Sequence, residues 1–292
     1  MVSGKKQTLK SLKAGRPPLS RSSRTMSRKA SRSLINSHHQ LEKQRLQAIS
    51  KGDKAKEAAI AEQLAKMGGL DHYQHASLQG QSQERGGDTS KVLLQWLPSS
   101  VLEMRGRPVR MLEVGALSTG NACSTSGIFD VVHIDLHSQE PGILQQDFME
   151  RPLPSGDEEK FDIISLSLVL NFVPDAAGRG QMLARTAKFL HQKSRIEVAE
   201  GEERAFPCLF VVLPRSCVTN SRYFTAQRFE EIMSALGYEK IRDKLTQKLT
   251  YTLWRRTEGE RKGNVANFPK KEVNPGKTRN NFVITLGGNA VP

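Results

Sequence analysis

Two glycines five positions apart, Gly115 and Gly120, follow an apolar run that ends on an acid, MLEVGALSTG over 111–120. That pattern predicts a buried parallel strand that turns sharply beneath a ligand. Glycine leaves no side chain where the turn must pass against a bound nucleoside, and the helix after it would aim its N-terminal amides at that ligand. The stretch contains no G-x-G-x-x-G, and no Gly-Lys-Ser/Thr follows it. A dinucleotide fingerprint and a phosphate loop are therefore both excluded. Glu113 stands two positions before Gly115. An acid there suits a ligand with a cationic amino-acid end better than a pyrophosphate, and S-adenosylmethionine is such a ligand. The run FDVVHIDL, 129–136, predicts a second strand and places Asp135 twenty positions beyond Gly115. An acid at that distance can accept hydrogen bonds from a ribose diol. The competing reading is an ordinary α/β core whose acids merely cap strand ends.

These residues need a scaffold, and the alternation of patterns supplies one. Strands are expected at 109–114, 130–134, 161–166 and 208–213, with a helix over 178–190 between the last two and another over 225–236. Alternating strands and helices argue a parallel sheet with right-handed crossovers. The tract YEKIRDKLTQKLTYTLWRR from 238 reads as one strand ending in charge, and NFVITL, 281–286, as another. Together they predict an antiparallel C-terminal edge hairpin, the ending that separates methyltransferase sheets from dinucleotide-binding ones. In such an architecture Asp147, in LQQDF, is placed to hold an adenine amino group. Upstream, helices are expected over 41–49 and 54–67, stopped by Gly68 and Gly69. A long polar loop follows to Gly87, and Asp88 caps a helix that ends at Pro98. Such a loop reads as a lid or substrate-facing element. Its His72 and His75 lack acidic or cysteine partners at ligand spacing, so no metal is expected.

The net charge of +14 is unevenly spread. Residues 1–33 hold ten Lys or Arg and no acid, which leaves only +4 for the rest. A block with so little to bury cannot fold alone and suits a polyanion or a nuclear address. Three scattered cysteines without C-x-x-C spacing argue against a disulfide framework or a zinc site and fit a reducing compartment. No apolar run approaches the ~20 residues of a membrane span, and no secretory signal is evident, so a soluble intracellular protein is expected. The organisation expected is a disordered basic tail over 1–40, a helical and lid segment over 41–105, and an S-adenosylmethionine-dependent domain over 106–292.

The stretches MLEVGALSTGNACS, FDVVHIDLHS, QQDFMERPLP, FDIISLSLVLNFVPDAAGRGQML, LFVVLPRSCVTNSRYFT and PGKTRNNFVITL together resemble the fungal adenine-N1 methyltransferases of large-subunit (25S) ribosomal RNA. The resemblance covers nearly everything after the basic tail. It implies a class I (Rossmann-like) α/β fold, a doubly wound and mostly parallel sheet with the antiparallel edge hairpin and N-terminal helices. It also implies S-adenosylmethionine as cofactor, ribosomal RNA or a pre-ribosomal particle as partner, and the nucleus and nucleolus as location. Gly115 and Asp135 would be cofactor-binding positions, supported by Glu113 and Asp147. Animal relatives act as cofactor sensors, so fold and cofactor transfer more safely than catalysis. A sensor that leaves RNA unmodified and a small-molecule methyltransferase are the alternatives.

Methyl transfer to adenine N1 needs no base before attack, so alignment and stabilisation of developing positive charge do most of the work. Asn171, in NFVP after the strand at 161–166, is the candidate for contacting the base, with Phe172 available to stack on it; a purely structural turn is the alternative. Arg215, Arg222 and Tyr223, in PRSCVTNSRYF, combine cations and an aromatic ring that suit an unstacked base and its phosphates; a surface loop that carries them for solubility alone is the alternative.

Overall fold

The computed structural model describes parts of 33–49 and residues 51–67, 87–104, 108–138, 140–257 and 267–287. The basic tail up to 32 and the polar loop with His72 and His75 lie outside the described residues. Helix α1 is Lys54–Lys66, capped where the Asp53 side chain accepts from the Lys56 amide. Helices α2, Ser90–Trp96, and α3, Ser99–Leu102, are separated at Pro98, whose missing N–H ends the first and suits the start of the second. No described helix is long and apolar enough to cross a membrane.

The sheet has seven strands: β1 Val109–Val114, β2 Phe129–Asp135, β3 Ile143–Gln145, β4 Ile163–Ser167, β5 Cys208–Pro214, β6 Tyr238–Leu245 and β7 Leu249–Arg256. They lie in the order β3-β2-β1-β4-β5-β7-β6. The first five pair in parallel, and β7 runs antiparallel to both β5 and β6. Further helices are α4 Ala122–Thr125, α5 Ala176–Phe189, α6 Arg215–Thr219 and α7 Ala226–Ala235.

Strand residues alternate between faces, and a sheet covered on both sides therefore buries two cores. Leu112, Val114, Ile164, Leu166, Leu209, Val211 and Trp254 join α5 and α7 in one cluster. Their neighbours Met111, Ile163, Cys208, Phe210, Val212 and Leu253 join α2 and α3 in the other. Residues 90–101 therefore help cover the same sheet that carries Gly115. Cys123, Cys208 and Cys217 are buried free thiols within these clusters.

The edge hairpin differs from the expected one. Both of its strands come from the 238–256 tract, joined through Thr246–Lys248. That turn carries no Gly, Pro or Asn to announce it. Thr246 closes it instead: its amide donates to the Leu249 carbonyl at 2.8 Å, and its hydroxyl accepts from the Leu249 amide at 3.0 Å. The 281–286 segment forms no sheet strand, although Val283, Ile284 and Leu286 are buried. Its apolar spacing reflects docking against α5 and Phe268, whose amide donates to the Leu286 carbonyl at 2.8 Å. The three-residue β3 was too short to read from periodicity.

Docking of 281–286 depends on a close approach. The Thr285 amide donates to the Ala176 carbonyl at 3.0 Å, and a Cβ at Gly180 would lie 2.0 Å from the Thr285 oxygen. In an exposed helix Gly180→Ala would stabilise by about 0.5–1 kcal/mol, but overpacking against backbone costs about 1–3 kcal/mol. The second effect should win. We expect Gly180→Ala to lower unfolding stability by urea titration and to speed proteolysis after residue 267; equal or higher stability would show that the segment yields freely.

Candidate active site

Between β1 and β4 the winding of the chain reverses, because β1 connects outward to β2 on one side while β4 starts the other half. Carboxyl ends of strands at such a switch point leave a crevice. A cleft of about 450 Å³ opens there, floored by Val114 and Gly115 and flanked by Asp135, Asp147, Leu168 and Phe172. Gly115 has φ +74°, a left-handed conformation that glycine adopts without steric cost. Its amide and that of Ala116 both donate to the Ile134 carbonyl, at 2.8 and 3.1 Å, so the turn folds tightly over β2. A Cβ on Gly115 would sit 2.7 Å from Val169 Cγ2. Gly120 is exposed, and a Cβ there would meet only Ser118 at 3.4 Å. The close approach is therefore made by the first glycine.

The two acids expected to face a nucleoside converge on this cleft. Asp135 ends β2, with one carboxylate oxygen accepting from the His137 amide at 2.8 Å. Its carbonyl holds the Gln146 amide at 2.8 Å, which brings Asp147 alongside. Asp147 uses one oxygen to accept from the Met149 amide at 2.7 Å. Both carboxylates are thus held by short turns before any ligand arrives.

Glu113 lies behind the cleft lining. Asn121 donates from Nδ2 to both of its oxygens, at 3.1 and 2.8 Å, while Asn121 Oδ1 caps α4 through the Ser124 amide. Burial pushes the Glu113 carboxyl up to about 7, the Asn121 hydrogen bonds oppose this, and Asp88 adds to it. His133 Nε2 is 3.5 Å from Glu113 and 2.8 Å from Ser124 Oγ. Burial holds that imidazole below its ordinary value, with Glu140 opposing. The two shifts favour a neutral acid beside a neutral ring over an ion pair.

Several site residues were not singled out from sequence. Asp88 was read only as a helix cap, yet its carboxylate joins two helix starts, accepting from the Ser90 amide at 2.9 Å and the Ala122 amide at 2.6 Å. Thr89 Oγ1 is 2.8 Å from Ser167 Oγ at the end of β4. The segment leading into α2 is thereby fixed across the ends of β1 and β4. Glu140 accepts from the Thr119 amide and, at 2.9 Å, from its hydroxyl, which fixes the glycine-containing turn from the other side. Leu168, which lines the cleft, has φ +60° and is the one non-glycine residue with positive φ among the described residues. A β4 end held in that conformation costs about 1–3 kcal/mol, and such strain clusters at functional turns.

The base-contacting candidates divide. Phe172 lines the cleft, its amide donating to the Val169 carbonyl at 2.9 Å. Asn171 does not line it, and its Oδ1 is buried without a hydrogen-bond donor. Arg215, Arg222 and Tyr223 stand outside the cleft beyond β5. Arg179 joins the two regions: Nε donates to the carbonyls of Leu170 and Val173, at 3.1 and 2.9 Å, and Nη1 to that of Val283 at 2.7 Å. Its guanidinium lies 4.7 Å from the Phe282 ring centroid. One half-buried cation therefore ties the 170–173 lip to the C-terminal segment.

The strand order, the antiparallel β7 and this cleft define a class I, Rossmann-like methyltransferase fold. Residues 58–284 match the family model described as 25S rRNA (adenine(2142)-N(1))-methyltransferase, Bmt2, and the chain belongs to that family. It is similar to the 25S rRNA (adenine(2142)-N(1))-methyltransferase of Saccharomyces cerevisiae, 42% identical over 229 residues that are 78% of this chain and 63% of the relative. It thus spans less than two thirds of that relative's length. It is also similar to the 25S rRNA adenine-N(1) methyltransferase of Schizosaccharomyces pombe, 37% identical over 86% of this chain and 89% of the relative. Among solved structures, the O-methyltransferase NcsB1 from neocarzinostatin biosynthesis, in complex with S-adenosylmethionine, overlays with a TM-score of 0.46 at 12% identity, over 76% of this chain and 70% of its own.

The Glu113 network predicts a pH signature. A carboxyl raised in the fold from 4.5 to about 7 contributes stability that is fully present below 4.5 and lost as pH rises through about 7. With a tenfold change in proton affinity worth about 1.4 kcal/mol, wild type should lose roughly 3 kcal/mol over that window relative to Glu113→Gln. Urea titrations of both proteins at pH 5 and pH 8 measure it; a stability difference independent of pH would show that the carboxyl titrates normally.

Proposed function

We propose that this protein transfers a methyl group from S-adenosylmethionine to N1 of an adenosine in large-subunit (25S) ribosomal RNA. The observation that carries the proposal is the switch-point cleft with Gly115, Asp135 and Asp147 converging on it, in a chain of the Bmt2 family. The donor set fits the cofactor. Gly115 provides a cradle in which any side chain would meet Val169. Asp135 supplies a carboxylate at the end of β2 for a ribose diol, and Asp147 one beside it for an adenine amino group.

When bound, S-adenosylmethionine supplies an electrophilic methyl group on a sulfonium centre. The chain's part is to align the nucleophile and stabilise the charge it acquires. Adenine N1 lies on the pairing edge, so the target must be unpaired and turned out of the helix to reach the cleft. Phe172 offers the ring face on which such a base could stack, at the lip fixed by Arg179. Asn171 stands one residue earlier, its buried Oδ1 an acceptor in need of a donor; in this proposal it shapes the lip and contacts the base once the lip adjusts. N1 attacks with its own lone pair, and positive charge then spreads over the ring. Asp175, on the lip, keeps its carboxylate there because it caps α5 through the Gly178 amide at 2.6 Å. The basic tail would supply sequence-independent attraction to RNA, in keeping with a nuclear and nucleolar location.

The deciding experiment incubates the full chain with methyl-tritiated cofactor and 25S ribosomal RNA, then identifies the product by mass spectrometry of digested nucleosides. 1-Methyladenosine is expected; cofactor binding with unmodified RNA would point instead to a sensor. Charge-assisted hydrogen bonds contribute about 1.5–3 kcal/mol each, so Asp135→Ala should weaken cofactor affinity roughly ten- to a hundredfold, while Gly115→Arg should abolish it. Calorimetric titration reads both, and near-normal affinity in either variant would remove that residue from the cofactor site.

A further inference from the structure

Outside the cleft, residues 215–223 and 270–281 form one bonded body. The Arg222 carbonyl accepts from the amides of Val273 and Asn274, at 2.8 and 3.0 Å, and its own amide donates to the Asn280 carbonyl at 3.0 Å. The Arg222 guanidinium donates to Asn281 Oδ1, and Asn280 Nδ2 to the Ser216 carbonyl at 2.7 Å. Lys270 Nζ stands 4.3 Å from the Tyr223 ring centroid, and the Arg222 guanidinium 5.7 Å from it. The body is anchored to the cleft lip, since Ser221 Oγ donates to the Phe282 carbonyl at 2.5 Å and Arg179 holds Val283.

Its charge is one-sided. The two stretches contain Arg215, Arg222, Lys270, Lys271, Lys277 and Arg279 against a single acid, Glu272. None of the six has a carboxylate partner among the described residues. The opposite end of the sheet is a useful contrast. A larger groove of about 860 Å³ lies there, lined by Lys193, Arg204, Arg255 and Arg256 together with Glu197 and Glu239. One of its cations, Arg255, is neutralised by Glu239, whereas Arg256 only donates to the carbonyls of Leu190 and His191, as Arg215 and Arg222 on the ridge donate to the Thr246 carbonyl and Asn281 Oδ1. The adjoining stretch 196–204 holds four Glu and one Arg. With six cations against one acid, the lip side attracts phosphate more strongly than this groove, whose four cations face two acids in its own lining.

We infer that the body formed by 215–223 and 270–281 is a phosphate-binding ridge that holds the RNA backbone next to the target adenosine. The identity of the anion rests on the function proposed above; the ridge itself rests on cations that no described carboxylate neutralises and on its anchoring to the lip. Tyr223 also has a part in the ridge itself. Lys270 stands over one face of its ring, which holds that cation within the ridge. The ridge therefore positions the strand, and base choice is left to the cleft.

The test uses the full chain and a 25S ribosomal RNA fragment. Lys270→Glu, Lys271→Glu and Lys277→Glu are combined, with a charge-neutralising version to Gln beside it and Lys193→Glu at the opposite groove as comparison. RNA affinity is measured across salt, together with cofactor affinity and single-turnover methyl transfer at saturating RNA. Each lost phosphate contact should lower the log–log salt slope by about 0.7–0.9. We expect the triple Glu variant to bind at least tenfold more weakly with a slope smaller by about two, the Gln version to shift the same way but less, and cofactor affinity, the saturated rate and the Lys193→Glu protein to be unchanged. Unchanged RNA affinity and slope in both triple variants, an equal loss in Lys193→Glu, or a parallel loss of cofactor affinity would overturn the ridge. If the wild type binds RNA through the ridge but methylates no adenosine, the proposed activity fails and the ridge stands. If it methylates normally while the triple variants bind as wild type does, the reverse holds.

Discussion

The contact on which the candidate site depends is the passage of the Gly115 backbone beneath Val169. A side chain on Gly115 would start 2.7 Å from Val169 Cγ2, so the ends of β1 and β4 can come together only if this residue has none. The left-handed turn at Gly115 then hands two amides to the Ile134 carbonyl, which fixes β2 and with it Asp135. Asp135 in turn holds the Gln146 amide and delivers Asp147. Three site residues, Gly115, Asp135 and Asp147, are thus set by one steric constraint followed by a chain of backbone hydrogen bonds. Leu168, with φ +60°, follows β4 directly and precedes Val169, the residue against which Gly115 passes.

A second organising element acts on the substrate side. Arg179 is half-buried, and desolvation pulls its guanidinium below the ordinary value, with nearby Cys217 and Asp175 opposing. Burying a cation is costly unless its donors are satisfied, and here three carbonyls and the face of Phe282 satisfy them. Those carbonyls belong to the 170–173 lip and to the C-terminal segment. Arg179 therefore makes the wall beside the cleft and the basic body beyond it a single unit. A strand of RNA held on that body would have its neighbouring nucleotide brought to Phe172.

The parallel half of the sheet and the cofactor side of the cleft were legible in the amino-acid sequence because they obey short-range rules. β5 is a continuous apolar run and β1 and β4 are mostly apolar, as strands covered on both faces tend to be, and Gly115 and Asp135 sit at distances set by strand and turn lengths. What escaped was fixed by tertiary contacts. The 246–248 turn is closed by a threonine that carries no turn signature. The apolar 281–286 run looks like a strand because alternate residues face the core, yet its hydrogen bonds go to Ala176, Phe268 and Arg179. Asp88 has the composition of a cap, and nothing local reveals that its second oxygen serves α4, 34 residues away. Arg179 and Gly180, in DAAGRGQML, read as ordinary residues of an exposed helix start.

The central claim is that a nucleoside-bearing ligand occupies the crevice at the carboxyl ends of β1, β2 and β4. Amide hydrogen exchange of the full chain with and without saturating S-adenosylmethionine tests it directly, since ligand contact suppresses local opening. Protection confined to the backbone around 113–122, 135–149 and 167–173, with 193–207 and 255–257 unchanged, is the predicted result. Protection centred on the groove at the opposite end of the sheet, with the amides around Gly115 and Asp135 exchanging as before, would contradict it.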